Sequence, residues 1–420
     1  MLFQGRYLKS FQIAFLVLLL ILTSMIFLNS PGTGDVKYFI AWAKNADTYG
    51  LISGFKASAE QYPPFALGIL LAALKVSNLF GIGGLVAVKL SILTLLFLTS
   101  FLFWLWTRDL ALTVILHLSL LLNSVALGYI DIYFAPTLIL SLWALKQHKL
   151  ILFTVLFSIS VLTKWQPIII APFIALYLIN IRQLAQWREI KYKQLILRVI
   201  FPVALIIIIT LSIFGMSLVK TFISATSSWF LSGNALNLNW IVTYLLNVLY
   251  PDRFGGLVNG QIQIITNPPL AVTFIPKLLF YLSFIITFVT FFKREKTFEN
   301  LIIFSILGYL VYFMFNTDVH ENHLFPVIIL SIILFWVNRK HLPTMFVLIL
   351  MSNLNLLVFY GLDGNGLSFG RVVGGIDISL LLSIFNVGFF LFLWVTNILP
   401  GKESDSAPKP QLENPSTVGL

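Results

Sequence analysis

The chain has 420 residues, of which 59% are hydrophobic and 10% charged, and its mean hydropathy is +0.94. Soluble domains carry about 25% charged residues, so a soluble globular protein is excluded. The net charge of +11 would suggest nucleic acid in a soluble chain, but here its clustering between apolar runs reads as topology. The absence of cysteine excludes disulfide and thiol chemistry.

The first apolar run, 11–28, is followed by Asn29-Ser30-Pro31-Gly32, a weak cleavage site, so it reads as an uncleaved first span. Directly after it comes Pro31-Gly32-Thr33-Gly34-Asp35, and then a half-polar, aromatic-rich stretch to Gly50 that contains Trp42. Asp35 has two readings at this point. It is a loop or helix-cap carboxylate, or it is a general base at the membrane surface. Gln61-Tyr62-Pro63-Pro64 is a helix-start signal. The apolar stretch 65–80 that follows is only about 16 residues long, ends in Gly81-Ile82-Gly83-Gly84, and reads as an interfacial or re-entrant helix.

A span needs roughly 20 apolar residues. Spans are predicted near 11–29, 86–106, 110–128, 132–147, 150–164, 167–181, 195–217, 270–292, 299–316, 324–337, 342–360 and 378–398. The expected fold class is therefore an all-α polytopic membrane protein of about 12 transmembrane helices (range about 10–13) with external juxtamembrane helices. Basic clusters at Arg6/Lys9, Arg108, Lys146/Lys149, 182–198, 293–296, Arg339-Lys340 and Lys402 place both termini in the cytoplasm. One transmembrane domain, 1–400, is expected. It includes an external segment 30–85 and a long external loop 218–269. A disordered cytoplasmic tail, 401–420, follows. No internal repeat suggests a transporter's paired halves.

This topology collects the polar motifs on one side. Asp131 lies between two apolar runs, where a carboxylate is costly unless paired or in a wet cavity. Lys164-Trp165-Gln166-Pro167 offers either a snorkelling lysine or a fixed positive charge for phosphate. Asp318-Val319-His320-Glu321-Asn322-His323 is the densest polar cluster. Its His-x-x-His spacing is a weak metal signal, and a self-bonded turn or a substrate contact fits as well. Arg371 is either a phosphate contact or an ordinary loop arginine.

In their order these motifs resemble the integral-membrane glycosyltransferases of the GT-C superfamily, in particular the bacterial group similar to the mannosyltransferases of GPI-anchor synthesis. Asp35 to Trp42, Gln61-Tyr62-Pro63-Pro64, Asn123 to Asp131, Lys164-Trp165-Gln166-Pro167 and His320-Glu321-Asn322-His323-Leu324-Phe325-Pro326 look like its motifs, over roughly residues 30–330. Three positions depart from the pattern: Gln61 replaces an acid, Tyr129 a glutamine and Asn322 an arginine. The resemblance implies a GT-C-like fold and inverting transfer of a mannose-like hexose from a polyprenyl-phosphate donor. The acceptor would be a lipid-linked or cell-envelope glycan, and the reaction would take place on the external face of the plasma (inner) membrane. It implies Asp35 as general base, Lys164 and His320 on the donor phosphate, Asp131 on the sugar or acceptor, and Trp42, Tyr62, Gln166, Glu321 and Arg371 as further substrate contacts. No redox cofactor is needed; a divalent metal is not indicated. Membrane lipids are the other partners, nucleic acid is not one, and the sequence leaves oligomeric state open. The competing readings are a polysaccharide polymerase or ligase, a lipid-linked sugar translocator, and a non-enzymatic scaffold that kept the fold.

Overall fold

Peptide groups in so apolar a chain must be satisfied within each segment, and helices do this locally. The computed structural model describes residues 14, 16–58, 61–227 and 229–399, and these are mostly helical; β-structure is limited to the two-residue pair Val372–Val373 with Ile376–Asp377 and isolated bridges. The start of the expected first span and the tail 401–420 fall outside the described residues.

Among the described residues six helices are long and apolar enough to cross a membrane: Gly84–Thr107, Tyr192–Phe214, Leu270–Lys293, Phe298–Phe315, Arg339–Tyr360 and Ile378–Ile398. Each coincides with an expected span. The other expected spans fall on shorter helices, among them Leu16–Met25, Leu110–Ala126, Leu150–Thr163, Gln166–Ile179 and Glu321–Val337; the 132–147 span is the 12-residue helix Ala135–Lys146. The 65–80 stretch is the 16-residue helix Pro64–Leu79, started by proline as its sequence suggests. Ahead of it lie two further short helices, Asp35–Tyr49 and Leu51–Ser58.

The helices differ sharply in how far they are enclosed. Within its most apolar window, Phe298–Phe315 is 72% buried, whereas Tyr192–Phe214 is 6% buried. The first forms the centre of the bundle with Phe325–Val337, and the second runs along its outside. Lipid is as apolar as leucine, so central packing rests on close approach rather than on exclusion of water. At Gly308 a Cβ would lie 2.3 Å from the Phe173 ring, so glycine there lets the two segments touch.

Helix ends follow local chemistry. Asp109 and Thr297 cap their helices by accepting from the backbone N–H groups of Leu112 and Asn300. Arg108, His148 and Asn180 turn sharply with positive φ at the other ends.

The 218–269 segment, expected as a long external loop, carries short helices and packs against the bundle. It contains the helices Ser217–Ala225 and Leu238–Leu249, and Trp240 is fully buried. Asparagines supply the reason: Asn237 Nδ2 donates to the Phe313 carbonyl at 2.7 Å, and Asn239 Nδ2 to the Asn316 carbonyl at 2.8 Å. These carbonyls end an apolar helix and would otherwise be buried without partners.

Candidate active site

One device recurs at the Asp35 end of the molecule. Three helix-to-helix connections pass through a 3₁₀ turn, at Ile130–Phe134, Gln166–Ile170 and Glu321–Leu324. The apolar helices that follow carry proline in their first turn, at Pro136, Pro172 and Pro326. Proline needs no N–H partner there, so each apolar helix starts cleanly while the polar residues stay on the turn before it. The first connection also breaks the preceding helix: Leu122–Ala126 widens to π geometry at Asn123, and Gly128 reverses the chain at φ 78.

These turns bring Asp131, Lys164 and Asn322 together. Lys164 Nζ donates to Asp131 Oδ1 at 2.6 Å, and Asn322 Nδ2 donates to Oδ2 at 3.0 Å. The Asp131 side chain is fully buried, so both oxygens need such donors. Asn322, which stands where the resembled family has arginine, therefore braces Asp131. Lys164 Nζ also lies 5.3 Å above the Tyr62 ring. Tyr62 packs against Trp42 at 5.5 Å and Phe39 at 6.0 Å, so Trp42 and Tyr62 form an aromatic wall beside the ion pair. Gln166 is buried nearby in sequence, with both amide atoms lacking a partner among the described residues.

A second carboxylate cluster lies alongside. The Tyr129 hydroxyl donates to Glu321 Oε1, and so does that of Tyr360 at 3.2 Å. His320 Nδ1 is 4.0 Å from Glu321 Oε2. Burial lifts the Glu321 carboxyl to about 7, although the two tyrosines oppose the shift.

Asp35 opens the Asp35–Tyr49 helix at its first turn, after Gly34, with no side-chain capping bond. The helix-cap reading is thus not realised. Among the described residues its carboxylate makes no hydrogen bond or ion pair, yet it lies within electrostatic reach of Glu321, His320, Lys164 and Asp131. Burial first, and the Glu321 charge second, raise it to about 6, against the pull of His320 and Lys164. A carboxylate held in that range, with free oxygens within electrostatic reach of the Lys164 ammonium and the His320 imidazole, is suited to take a proton.

His320 is held from the other side. The Gly233 N–H donates to the Val319 carbonyl at 2.8 Å, and a Cβ at Gly233 would lie 2.6 Å from His320 Nδ1. Only glycine leaves the imidazole its place. His323, behind it, accepts or donates a bond with the Tyr312 hydroxyl at 3.0 Å.

Arg371 belongs elsewhere. Its guanidinium pairs with Asp377 at 3.3 Å, donates to the Ile262 carbonyl at 3.2 Å and stacks over Phe359. The structure thus gives it a role in holding the 255–266 segment. Among the described residues no three His or acidic side chains converge as metal ligands.

Sequence reasoning missed Lys89, although a lysine inside an apolar helix was a visible signal. Fully buried, it donates to the carbonyls of Val125 and of Ala126, the latter at 2.8 Å, and to Ser30 Oγ at 3.0 Å. It ties the broken helix to the loop carrying Asp35, where the Thr33 N–H also donates to the Leu127 carbonyl at 2.8 Å. Tyr360 and Asn355 were missed as well; they look like ordinary residues of an apolar run, and their contacts to Glu321 are purely tertiary. No protein-family model and no curated protein matches this chain.

Proposed function

We propose that the protein is a multi-pass membrane glycosyltransferase of about 12 spans. It transfers a hexose, mannose-like by family resemblance, from a polyprenyl-phosphate donor to a lipid-linked or cell-envelope glycan on the external face of the plasma membrane. The observation that carries this reading is convergence. Asp35, Asp131, Lys164 and His320-Glu321, from four separate segments, meet at one end of the bundle, whereas a translocator tends to place ionisable groups near the bilayer midplane.

In this reading Asp35 accepts the proton of the acceptor hydroxyl as its oxygen forms a bond to the anomeric carbon. The bond from that carbon to the phosphate oxygen breaks on the opposite face, which inverts the configuration. Lys164 has three N–H donors, and one goes to Asp131; the remaining donors, with His320, face the charge that develops on the leaving phosphate. Asp131, fully buried and bonded through both oxygens, holds the Lys164 ammonium in place, and Trp42 and Tyr62 pack along the sugar. The test is to incubate purified full-length protein in nanodiscs with a polyprenyl-phosphate hexose and a glycolipid acceptor. Donor consumption with an inverted product is expected, and no consumption of any such donor, or a product of retained configuration, contradicts the assignment.

A further inference from the structure

The stretch that runs from the end of the helix Ala171–Ile179 into the first turns of Tyr192–Phe214 is rich in cations, with Arg182, Arg188, Lys191, Lys193 and Arg198 against a single acid, Glu189. It is not an open loop. Gln183 and Gln186 cap a 3₁₀ turn, Leu184–Glu189, and the Tyr192 hydroxyl donates back to the Trp187 carbonyl at 2.9 Å. Thr154 Oγ1 donates to the Arg198 carbonyl at 3.1 Å, which fixes this elbow to the Leu150–Thr163 helix.

The fold leaves a groove of about 470 Å³ at the elbow, lined by Lys191, Tyr192, Lys193, Gln194, Leu197 and Arg198. Among the described residues Arg182 is paired with Glu295 at 3.2 Å, whereas Lys191, Lys193 and Arg198 form no ion pair. Around these three cations the apolar side chains also lack cover: Trp187 is 54% exposed, Leu197 54% and Phe201 60%. The helix that continues from the groove is the least enclosed long helix of the bundle, so lipid surrounds it and the groove sits at headgroup level.

We infer that this elbow is a binding site for an acidic phospholipid headgroup. Unpaired cations in a groove attract the phosphate, aromatic and aliphatic rims suit the interface, and the bare face from Leu197 to Phe201 accommodates acyl chains. Soluble phosphate lacks the chains and gains nothing from that face. The site lies apart from the Asp35 cluster, so the inference stands whether or not the proposed transfer does.

The experiment titrates purified full-length protein in detergent with phosphatidylglycerol, phosphatidylcholine or inorganic phosphate, read by native mass spectrometry. Phosphatidylglycerol should bind at least about tenfold tighter than phosphatidylcholine, and more weakly as salt rises. Lys191→Gln/Lys193→Gln/Arg198→Gln should abolish that preference, whereas Lys75→Gln, an exposed cation elsewhere, should leave it intact. Equal binding of the two lipids, salt-insensitive binding, an unchanged triple variant, an equal loss in Lys75→Gln, or full displacement by inorganic phosphate would each overturn the inference. The wild-type lipid preference and its salt dependence decide the question even if the triple variant does not fold.

Discussion

The two ends of the bundle both carry charge and treat it in opposite ways. At one end Asp109 pairs with Arg339 at 2.7 Å, and Glu299 with Lys340 and His341, each at 2.9 Å. The cations there are well exposed: Arg339 at 56% and Lys340 at 64%. At the other end, about 27 Å away along the 18-residue Phe298–Phe315 helix, Asp131, Glu321 and Lys164 are buried and Asp35 and His320 are half-buried. Partial burial would raise Asp109, but Arg339 and the Leu112 N–H hold it below the usual carboxylate range. Asp35 moves the other way, to about 6. Charges that only close a bundle can stay wet and paired. Charges kept in a largely buried, incompletely paired cluster carry a standing cost that a functional site explains.

The largest test of that contrast removes one member of the buried pair. Asp131→Asn leaves Lys164 buried without a counter-charge and should cost about 3–5 kcal/mol, seen as a clear drop in thermal midpoint in detergent at a fixed scan rate. A midpoint like the wild type's would mean that the Asp131 end is as tolerant as the Arg339 end. Gly233→Ala comes next: its methyl group must displace the His320 ring, for roughly 1–3 kcal/mol of strain and a marked fall in turnover. Unchanged turnover would detach His320 from the reaction.

Glu321→Gln sharpens the electrostatic half of the comparison. A base raised to about 6 works ionised, so activity should be present above that pH and be lost as pH falls through it. Burial is the main cause of the Asp35 shift, and Glu321, itself lifted to about 7, keeps only part of its charge where Asp35 titrates. Glu321→Gln should therefore move the acid limb of the rate profile slightly to lower pH, and a limb that moves to higher pH would deny the coupling. The smallest effect belongs to the exposed end, where Arg339→Gln should change stability by no more than about 1 kcal/mol; a larger loss there would erase the distinction between the ends.

Much of the fold was legible because hydrophobic run length and basic clusters act locally. The long helices fall where apolar runs do, and Pro64, Pro136 and Pro326 start theirs. Asp35, Asp131, Lys164 and His320-Glu321 were visible as polar interruptions of apolar sequence, and the structure brings them together. The short helices and the packing of the 218–269 segment were not legible, because its apolar stretches are short and its burial depends on asparagines capping distant carbonyls, which no local pattern reveals. Between the two readings of Arg371 the sequence could not choose, since its partner Asp377 lies across a tight turn. The bracing by Tyr129, Tyr360 and Asn322 was hidden because these contacts join segments far apart in the sequence.

The central claim is that the Asp35 carboxylate is the base, and Asp35→Asn tests it most directly because the amide keeps the shape and cannot take the proton. Turnover of a polyprenyl-phosphate hexose should fall by about 10²–10⁴-fold, while donor affinity and the thermal midpoint stay near the wild type. Wild-type turnover in Asp35→Asn would contradict the account.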